Sequence, residues 1–532
     1  MGVETETVER LDGSSLKTLN WLALLVLTIG PLMAELDSSI VNVALPKMMA
    51  VFNVSATSVD WILTAYMLTM GVTMPLSGFL GDNFGYKRCF FAALALFTLG
   101  SALCAAAWNF DILIVARVVQ GIGGGLIMPS TMAILYKICP RERIGIVMGI
   151  CGIAGAAAPA MGPILGGFLV QNADWRIIFS INLPLGIIAL WLTERLLQET
   201  ELIKGAEIDI RGIILSMVGF FTLLLALDRS NSKGWTDPEI VILLLVGSAS
   251  LILFVVNELR VKSPILELRL YAMPVFALAS LVNWVLQGGL NGAVFLEPIL
   301  IQNVLGQTPL TSGLITFPAV IATSVMMPIS GWIYDRYGVR TIAIVGVAIT
   351  TWTTYMMHTF NAVTPFWVMT VWMMLRGFGL GLCMQPIGAA CLNAVPEALV
   401  GRASASFEVS NQIFSSLGIA FLATLMQTRK AFHYARLAAT VHGSGYAFYQ
   451  LQNNLQGLAA RTGKALQGMS ATILAGQAGT LSAVQAIDDC FLLAAAACAV
   501  GLAACFLLRE GKAAASERLN GLAPNEGARG SK

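Results

Sequence analysis

Along most of the chain, apolar residues come in blocks rather than in alternation with polar ones. A block of about 18 or more such residues is long enough to cross a hydrocarbon core roughly 30 Å thick as an α-helix. Fourteen blocks predict fourteen spans, near 19–45, 57–80, 88–107, 110–135, 145–170, 174–196, 210–228, 238–258, 271–304, 310–333, 339–358, 363–390, 400–427 and 487–508. Two segments break this rhythm. Residues 1–18 are polar and acidic, and residues 428–486, rich in Ala, Gln and Gly, separate the last two spans with a helical tendency of their own. The pattern predicts an all-α integral membrane protein.

Composition agrees, since the 532-residue chain is 57% hydrophobic and 12% charged, against about 25% charged residues in soluble domains. The net charge of +2 is uninformative and gives no reason to expect a nucleic-acid partner, but its distribution matters. With a cytoplasmic N-terminus, twenty-one Lys and Arg fall inside, Lys87, Arg88, Arg340 and Arg402 among them, and only Lys47, Arg176, Arg229 and Lys233 fall on short outer loops. The positive-inside rule therefore predicts a cell membrane protein with both termini cytoplasmic and 428–486 outside. The polar start has no secretory h-region, so the first span is expected to be retained, and Glu6 stands where a myristoylation pattern needs Ser or Thr. Nine cysteines show no CxxC and no metal spacing with His358, His433 or His442, so no metal site is assigned.

Charges inside spans are the candidate chemistry. Each acid near a helix centre costs roughly 2.5–3.5 kcal/mol to insert, and such residues usually mark a substrate, ion or proton path. The first span carries two, Glu35 and Asp37. At about 100° per residue they stand about 200° apart. Glu35 shares a polar stripe with Ser38, Ser39 and Asn42, suited to a wet cavity, whereas Asp37 sits with Met33, Ile40, Val41 and Ala44. Asp37 lies about 12 Å below the outer end of its span, and Arg117 of the fourth span about 10 Å, so the two are expected to couple directly or through water. Glu297 in the ninth span falls at a similar depth, either tuning the charge of a cargo or snorkelling outward, and Glu408 is a further acid in the inner half of the thirteenth. Trp61, Tyr66, Met67, Met70 and the stretch 350–360 either line a cavity for flat apolar cations or make plain lipid and helix contacts.

The chain repeats itself. "GFLGDNFGYKR" (78–88) aligns with "GWIYDRYGVRT" (331–341), matching Gly78 with Gly331, Asp82 with Asp335, Gly85 with Gly338 and Lys87 with Arg340 at one constant offset. "RVVQGIGGGLIMP" (117–129) is echoed more weakly by "RGFGLGLCMQP" (376–386). Internal repeats in transporters place the site at the repeat interface near the midplane. The expected organisation is a tail (1–18), a six-helix half (19–200), an inserted helix pair (201–262), a second half (263–510, with the loop 428–486) and a tail (511–532). "GIGGGL" lacks the last glycine of a dinucleotide loop, Leu126 standing there, and follows no strand; Gly121 and Gly125 instead make a face for close helix contact.

These stretches resemble the major facilitator superfamily, and within it the fourteen-span drug:proton antiporters of the EmrB/QacA type. "LDSSIVNVALP" (36–46) resembles their first-span motif with Asp37 in the acidic position, "GFLGDNFGYKR" the superfamily's loop, "RVVQGIGGG" (117–125) the fourth-span motif, and "GPILGG" (162–167) the fifth-span antiporter motif. "DWRIIFSINLPLG" (174–186) and "IDIRGIILSMVG" (208–219) are also similar to this subfamily. The resemblance implies two six-helix halves plus an inserted pair, with Asp37 as the essential acid; Glu35 and Arg117 are expected beside it in proton coupling. It implies a latch of the outward-facing state at Gly78, Asp82, Gly85, Lys87, Arg88, Asp335 and Arg340, and an antiporter motif at Gly162, Pro163, Gly166 and Gly167. Relatives mostly carry an apolar residue at Glu35 and Glu297, and often an Arg–Gln pair where Asn411 and Gln412 stand.

The expected function is proton-coupled export of amphipathic, cationic or lipophilic compounds by alternating access, with the proton as coupling ion and no cofactor. Expected cavity residues are Glu35, Asn42, Trp61, Tyr66, Gln120, Glu297 and Gln385. The alternatives are a symporter, or an exporter of one metabolite, lipid or peptide. Residues 428–486 either cap the transporter or dock an envelope adaptor leading to an outer-membrane channel. An embedded enzyme or receptor is disfavoured, because the sequence has no HExxH, no Asp-rich diphosphate motif and no large soluble domain.

Overall fold

The computed structural model describes residues 21–139, 143–172, 174–199, 209–261, 263–361, 363–396, 399–440 and 469–508. Both predicted tails, Arg141, residues 201–208 and the middle of the 428–486 segment lie outside the described residues.

The first half begins with α1 (Trp21–Phe52) and a single turn, α2 (Ala56–Val59). The second span is broken into α3 (Trp61–Thr73) and α4 (Leu76–Phe84), which bend by 54°. Pro75 sits at the break; proline has no N–H to give and its ring clashes with the preceding turn. There follow α5 (Tyr86–Ala106), α6 (Phe110–Ile138), α7 (Ile144–Asn172), α8 (Ile177–Ser180) and α9 (Asn182–Leu196). The inserted pair is α10 (Ile210–Lys233) and α11 (Pro238–Arg260). A 3₁₀ turn at Leu268–Ala272 enters the second half, where α12 (Pro274–Pro298) runs on into a π-helical turn at Ile299–Val304. Then come α13 (Pro309–Tyr337), α14 (Val339–Met357), α15 (Phe366–Asn393), α16 (Val400–Thr440) and α17 (Met469–Cys505).

Eleven of these helical stretches are long and apolar enough to cross a membrane, and the bent α3–α4 pair makes a twelfth. Helices α7 and α14 occupy the two other predicted positions. A helix satisfies its own backbone hydrogen bonds, which is what a hydrocarbon core demands. The ends are capped by side chains: Asn109, Asp209, Asp237 and Thr308 accept hydrogen bonds from the first turns of α6, α10, α11 and α13. On α11, Ile242, Leu245, Ile252 and Leu253 are each more than half exposed, as lipid-facing residues should be.

The inserted pair lies beside the two halves. Leu224 of α10 fills the space over Gly71 of α3, and Trp235 Nε1 donates to Thr424 Oγ1 of α16 at 2.7 Å. Helix α16 has 41 residues, roughly 60 Å of helix and about twice the hydrocarbon thickness. It is tied to α17 by Arg429 and His433, which reach Asp489 Oδ2 at 2.6 and 2.7 Å. Helix therefore enters the 428–486 segment from both sides, while 441–468 lie outside the described residues.

Candidate functional site

Helical periodicity turns Asp37 inward, and its apolar neighbours Met33, Ile40, Val41 and Ala44 are all buried. Arg117 of α6 stands at the same level, and its Nη1 donates to Asp37 Oδ2 at 2.5 Å. Both side chains are fully buried. Asp37 Oδ1 accepts from Gln120 Nε2 at 2.9 Å and from Asn182 Nδ2 of α9 at 2.8 Å. Gln120 also donates to Ser101 Oγ at 2.8 Å and accepts from Arg117 at 2.7 Å, and Arg117 Nε donates to the Ile62 carbonyl at 2.9 Å. Tyr66 lies against the guanidinium, 4.1 Å from ring centroid to Cζ, and its hydroxyl donates to the Ala34 carbonyl. Side chains of α6 and α9 thus converge on one carboxylate of α1, which makes it the candidate functional charge of this half.

The other face of α1 is open. Glu35 and Asn42 are exposed and Ser38 and Ser39 half-exposed, although they lie in the middle of a span. Glu408, half-buried on α16 of the second half, is close enough for its charge to act on that of Glu35. This exposed polar stripe is the candidate lining of a passage between the halves.

At one end the two halves meet. The bend at Pro75 carries α4 against the start of α16, where a Cβ on Gly78 would lie 3.1 Å from Arg402 Cα. Asp82 Oδ2 accepts from Arg402 Nε at 2.8 Å, and Asp82 Oδ1 from the Tyr86 hydroxyl at 2.9 Å. Glu267, in the connection after the inserted pair, stands 4.0 Å from Arg402 Nη1. The repeat makes the mirrored contact. Asp335 Oδ1 and Oδ2 accept from the backbone N–H groups of Gly145 and Ile146 at 2.8 and 3.0 Å. These are the first turn of α7, where unpaired donors and the helix dipole favour an anion. Gly85 and Gly338 turn the chain after each acid with φ of 94° and 83°, a conformation easy only for glycine.

Helix α7 changes partner along its length. Near that end Gly145, Gly149 and Gly152 meet α13 and Gln385 of the second half; further along, Gly162 and Gly166 pack on Ser39 and Ile40 of α1. Between these stretches Gly155 has no atom within 4 Å of the position of a Cβ.

Other expected site residues are placed differently. Tyr66 and Gln120, expected in the cavity, are buried in the Asp37 network, because Arg117 draws both to itself. Trp61 faces the inserted pair, with Arg229 of α10 4.9 Å from its ring. Glu297 is neither in the cavity nor snorkelling: it is buried and ion-paired with Arg376 of α15. Gln385 is half-buried beside Gly152. Lys87 and Arg88 pair with Glu194 and Glu199 at 3.5 Å, within their own half. Arg340 is exposed, a Cβ on Gly167 would have no neighbouring atom within 4 Å, and the surroundings of Pro163 lie outside the described side chains. Sequence reasoning missed Asn182, Ser101, Arg402, Glu267 and Arg376. The echo of Arg117 at Arg376 was the signal for the last.

With this geometry in hand, comparison with known proteins is informative. A sequence profile described as Major Facilitator Superfamily matches residues 27–419. An uncharacterized MFS-type transporter of Bacillus subtilis, YhcA, is 34% identical over 92% of this chain and 92% of its own. A multidrug resistance protein B homolog of Mycobacterium tuberculosis is 32% identical over 81% of this chain and 79% of its own. The lincomycin resistance protein LmrB of Listeria monocytogenes is 29% identical over 72% of this chain and 82% of its own. In fold, the chain is similar to the human organic anion transporter MFSD10, with a TM-score of 0.60 at 12% identity over 91% of this chain and 99% of that one. It is also similar to the proton:xylose symporter XylE, with a TM-score of 0.54 at 15% identity over 87% of this chain and 94% of that one.

Proposed function

Because the chain belongs to the major facilitator superfamily, we propose that it is a proton-coupled exporter of amphipathic, chiefly cationic or lipophilic compounds, working by alternating access in the cell membrane. One observation carries the reading. Two acids on a single helix have opposite environments: Asp37 is buried against Arg117, and Glu35 is exposed on the other face. Relatives named for multidrug and lincomycin resistance support a drug as cargo.

The positive-inside distribution puts the end where the halves meet, with Asp82 and Asp335, at the cytoplasm, so the passage between them opens outward. A proton arriving from outside neutralises Asp37, which removes the charge that Arg117, Gln120 and Asn182 converge on. A ligand shifts a conformational equilibrium only by binding the two states differently. Loss of this network is such a difference, and it favours the release of the latch. Facing inward, Asp37 gives up its proton and Glu35 receives a cationic cargo; the loaded carrier then returns outward.

Purified protein in proteoliposomes with an imposed pH gradient tests the reading, with ethidium as the probe. Antiport moves the dye toward the acidic compartment, and a protonophore abolishes the movement. Accumulation of dye on the alkaline side, together with the protons, would make the carrier a symporter.

A further inference from the structure

The second half holds a counterpart of the Asp37–Arg117 pair. Glu297 lies on α12 and Arg376 on α15, the first and fourth spans of their half, as Asp37 and Arg117 are of theirs. The first pair is separated by 80 residues of sequence and the second by one fewer. Glu297 is 4% and Arg376 3% exposed. A buried ion pair is often no more stable than apolar residues of the same volume, so keeping one inside a membrane points to use rather than to stability.

The two pairs differ in support. Asp37 accepts from three side-chain donors, whereas among the described residues the charged partner of Glu297 is Arg376 alone. Arg376 Nη1 leans on Met357 Sδ at 3.6 Å, and among the described residues its Nε has no hydrogen-bond partner. A proton arriving at Glu297 therefore displaces one ionic contact and no hydrogen-bond network. The backbone is also altered at this point. Pro298 follows Glu297 directly and cannot donate to the Val294 carbonyl one turn earlier. The chain then opens into the π-helical turn Ile299–Val304, a departure found mostly at functional sites. From Glu297 to the end of that turn is roughly 10 Å at helical rise, the distance a proton must cover from the end of the span.

We propose that Glu297, held by Arg376, is a second proton-binding site, so that each half of the transporter carries one. The step is a simple transfer: a proton from water adds to the Glu297 carboxylate, Arg376 keeps its charge, and the same proton leaves when the pair re-forms. This rests on the proton-coupled reading above, in which Asp37 is the first such site.

Infrared difference spectra of the purified protein in lipid, taken between acidic and alkaline buffers, read carboxylic-acid carbonyl bands directly and need no substrate. The wild type should show bands that disappear singly in Glu297→Gln and in Asp37→Asn, and both should be lost in the double variant. Glu297→Asp should restore a shifted band. Glu297→Gln/Arg376→Gln, which leaves no unpaired buried charge, should lack the band while remaining folded. If the Asp37 band is present and Glu297→Gln leaves the spectrum unchanged, the second site is refuted and the proton-coupled reading stands. If neither residue titrates, both fall.

Discussion

Gly145 and Gly331 meet backbone to backbone across the two halves: a Cβ on Gly331 would lie 2.0 Å from the Gly145 carbonyl oxygen, and one on Gly145 2.5 Å from that of Gly331. This approach lets Asp335, one turn beyond Gly331, reach the first N–H groups of α7. Gly331→Ala must push α13 off α7 and pull Asp335 from its donors. We expect a cysteine placed in the cytoplasmic half of the pathway to become several-fold more reactive to permeant thiol reagents, with transport falling at unchanged expression. Gly155→Ala, on the same helix where an added Cβ meets no neighbour, should alter neither. Equal effects of the two substitutions would mean that α7 responds to any added methyl rather than to latch geometry.

Arg402 has two carboxylates, Asp82 at 2.8 Å and Glu267 at 4.0 Å. Removing one partner of a buried pair costs roughly 3–5 kcal/mol when the remaining charge is stranded, but here the second acid limits the loss. Asp82→Asn should leave insertion intact and weaken export; Glu267→Gln alone should do little. The double variant strands Arg402 and should lose more than the two single losses together, since residues of one network are not additive. Export rates at matched expression for all four proteins give the coupling directly, and strict additivity would remove Glu267 from the latch.

Topology has a direct test. Phe84, at the tip between α4 and α5, is 55% exposed, and all nine native cysteines are buried. Phe84→Cys should therefore react with an impermeant maleimide in everted vesicles and not in intact cells. Labelling from outside intact cells would invert the orientation drawn from the charge count.

The spans were legible because lipid leaves so little choice: a long apolar block must be helical and must cross. The Asp37–Arg117 pair followed from depth alone, since rise per residue fixes level once the span ends are known. The constant offset between Asp82 and Asp335 likewise foretold a repeated contact, and both acids do meet the start of a helix in the opposite half. What escaped was choice of partner. Tyr66 and Gln120 look like cavity residues until Arg117 is seen to recruit them. Asn182 and Glu267 reach their sites from spans and connections remote in sequence, and periodicity is silent about which neighbouring helix a face will meet. Glu297 was misjudged for the same reason, because its partner lies three spans away on α15.

The last prediction separates Glu35 from Asp37. Glu35 is exposed, and among the described residues its carboxylate has no hydrogen-bond or ion-pair partner; Asp37 has three donors. Asp37→Asn keeps the shape but removes the charge, leaving Arg117 buried and stranded, a loss of roughly 3–5 kcal/mol in whichever state depends on the pair. It should abolish or uncouple transport of every compound. Glu35→Gln strands nothing. It should weaken cationic cargo about tenfold, the ratio that roughly 1.4 kcal/mol corresponds to, and spare neutral cargo. Proton release on adding a cationic and a neutral substrate, measured for both variants in proteoliposomes, decides between these roles. Should Asp37→Asn still exchange protons while Glu35→Gln does not, the cavity acid would be the coupling site and the buried pair a structural brace.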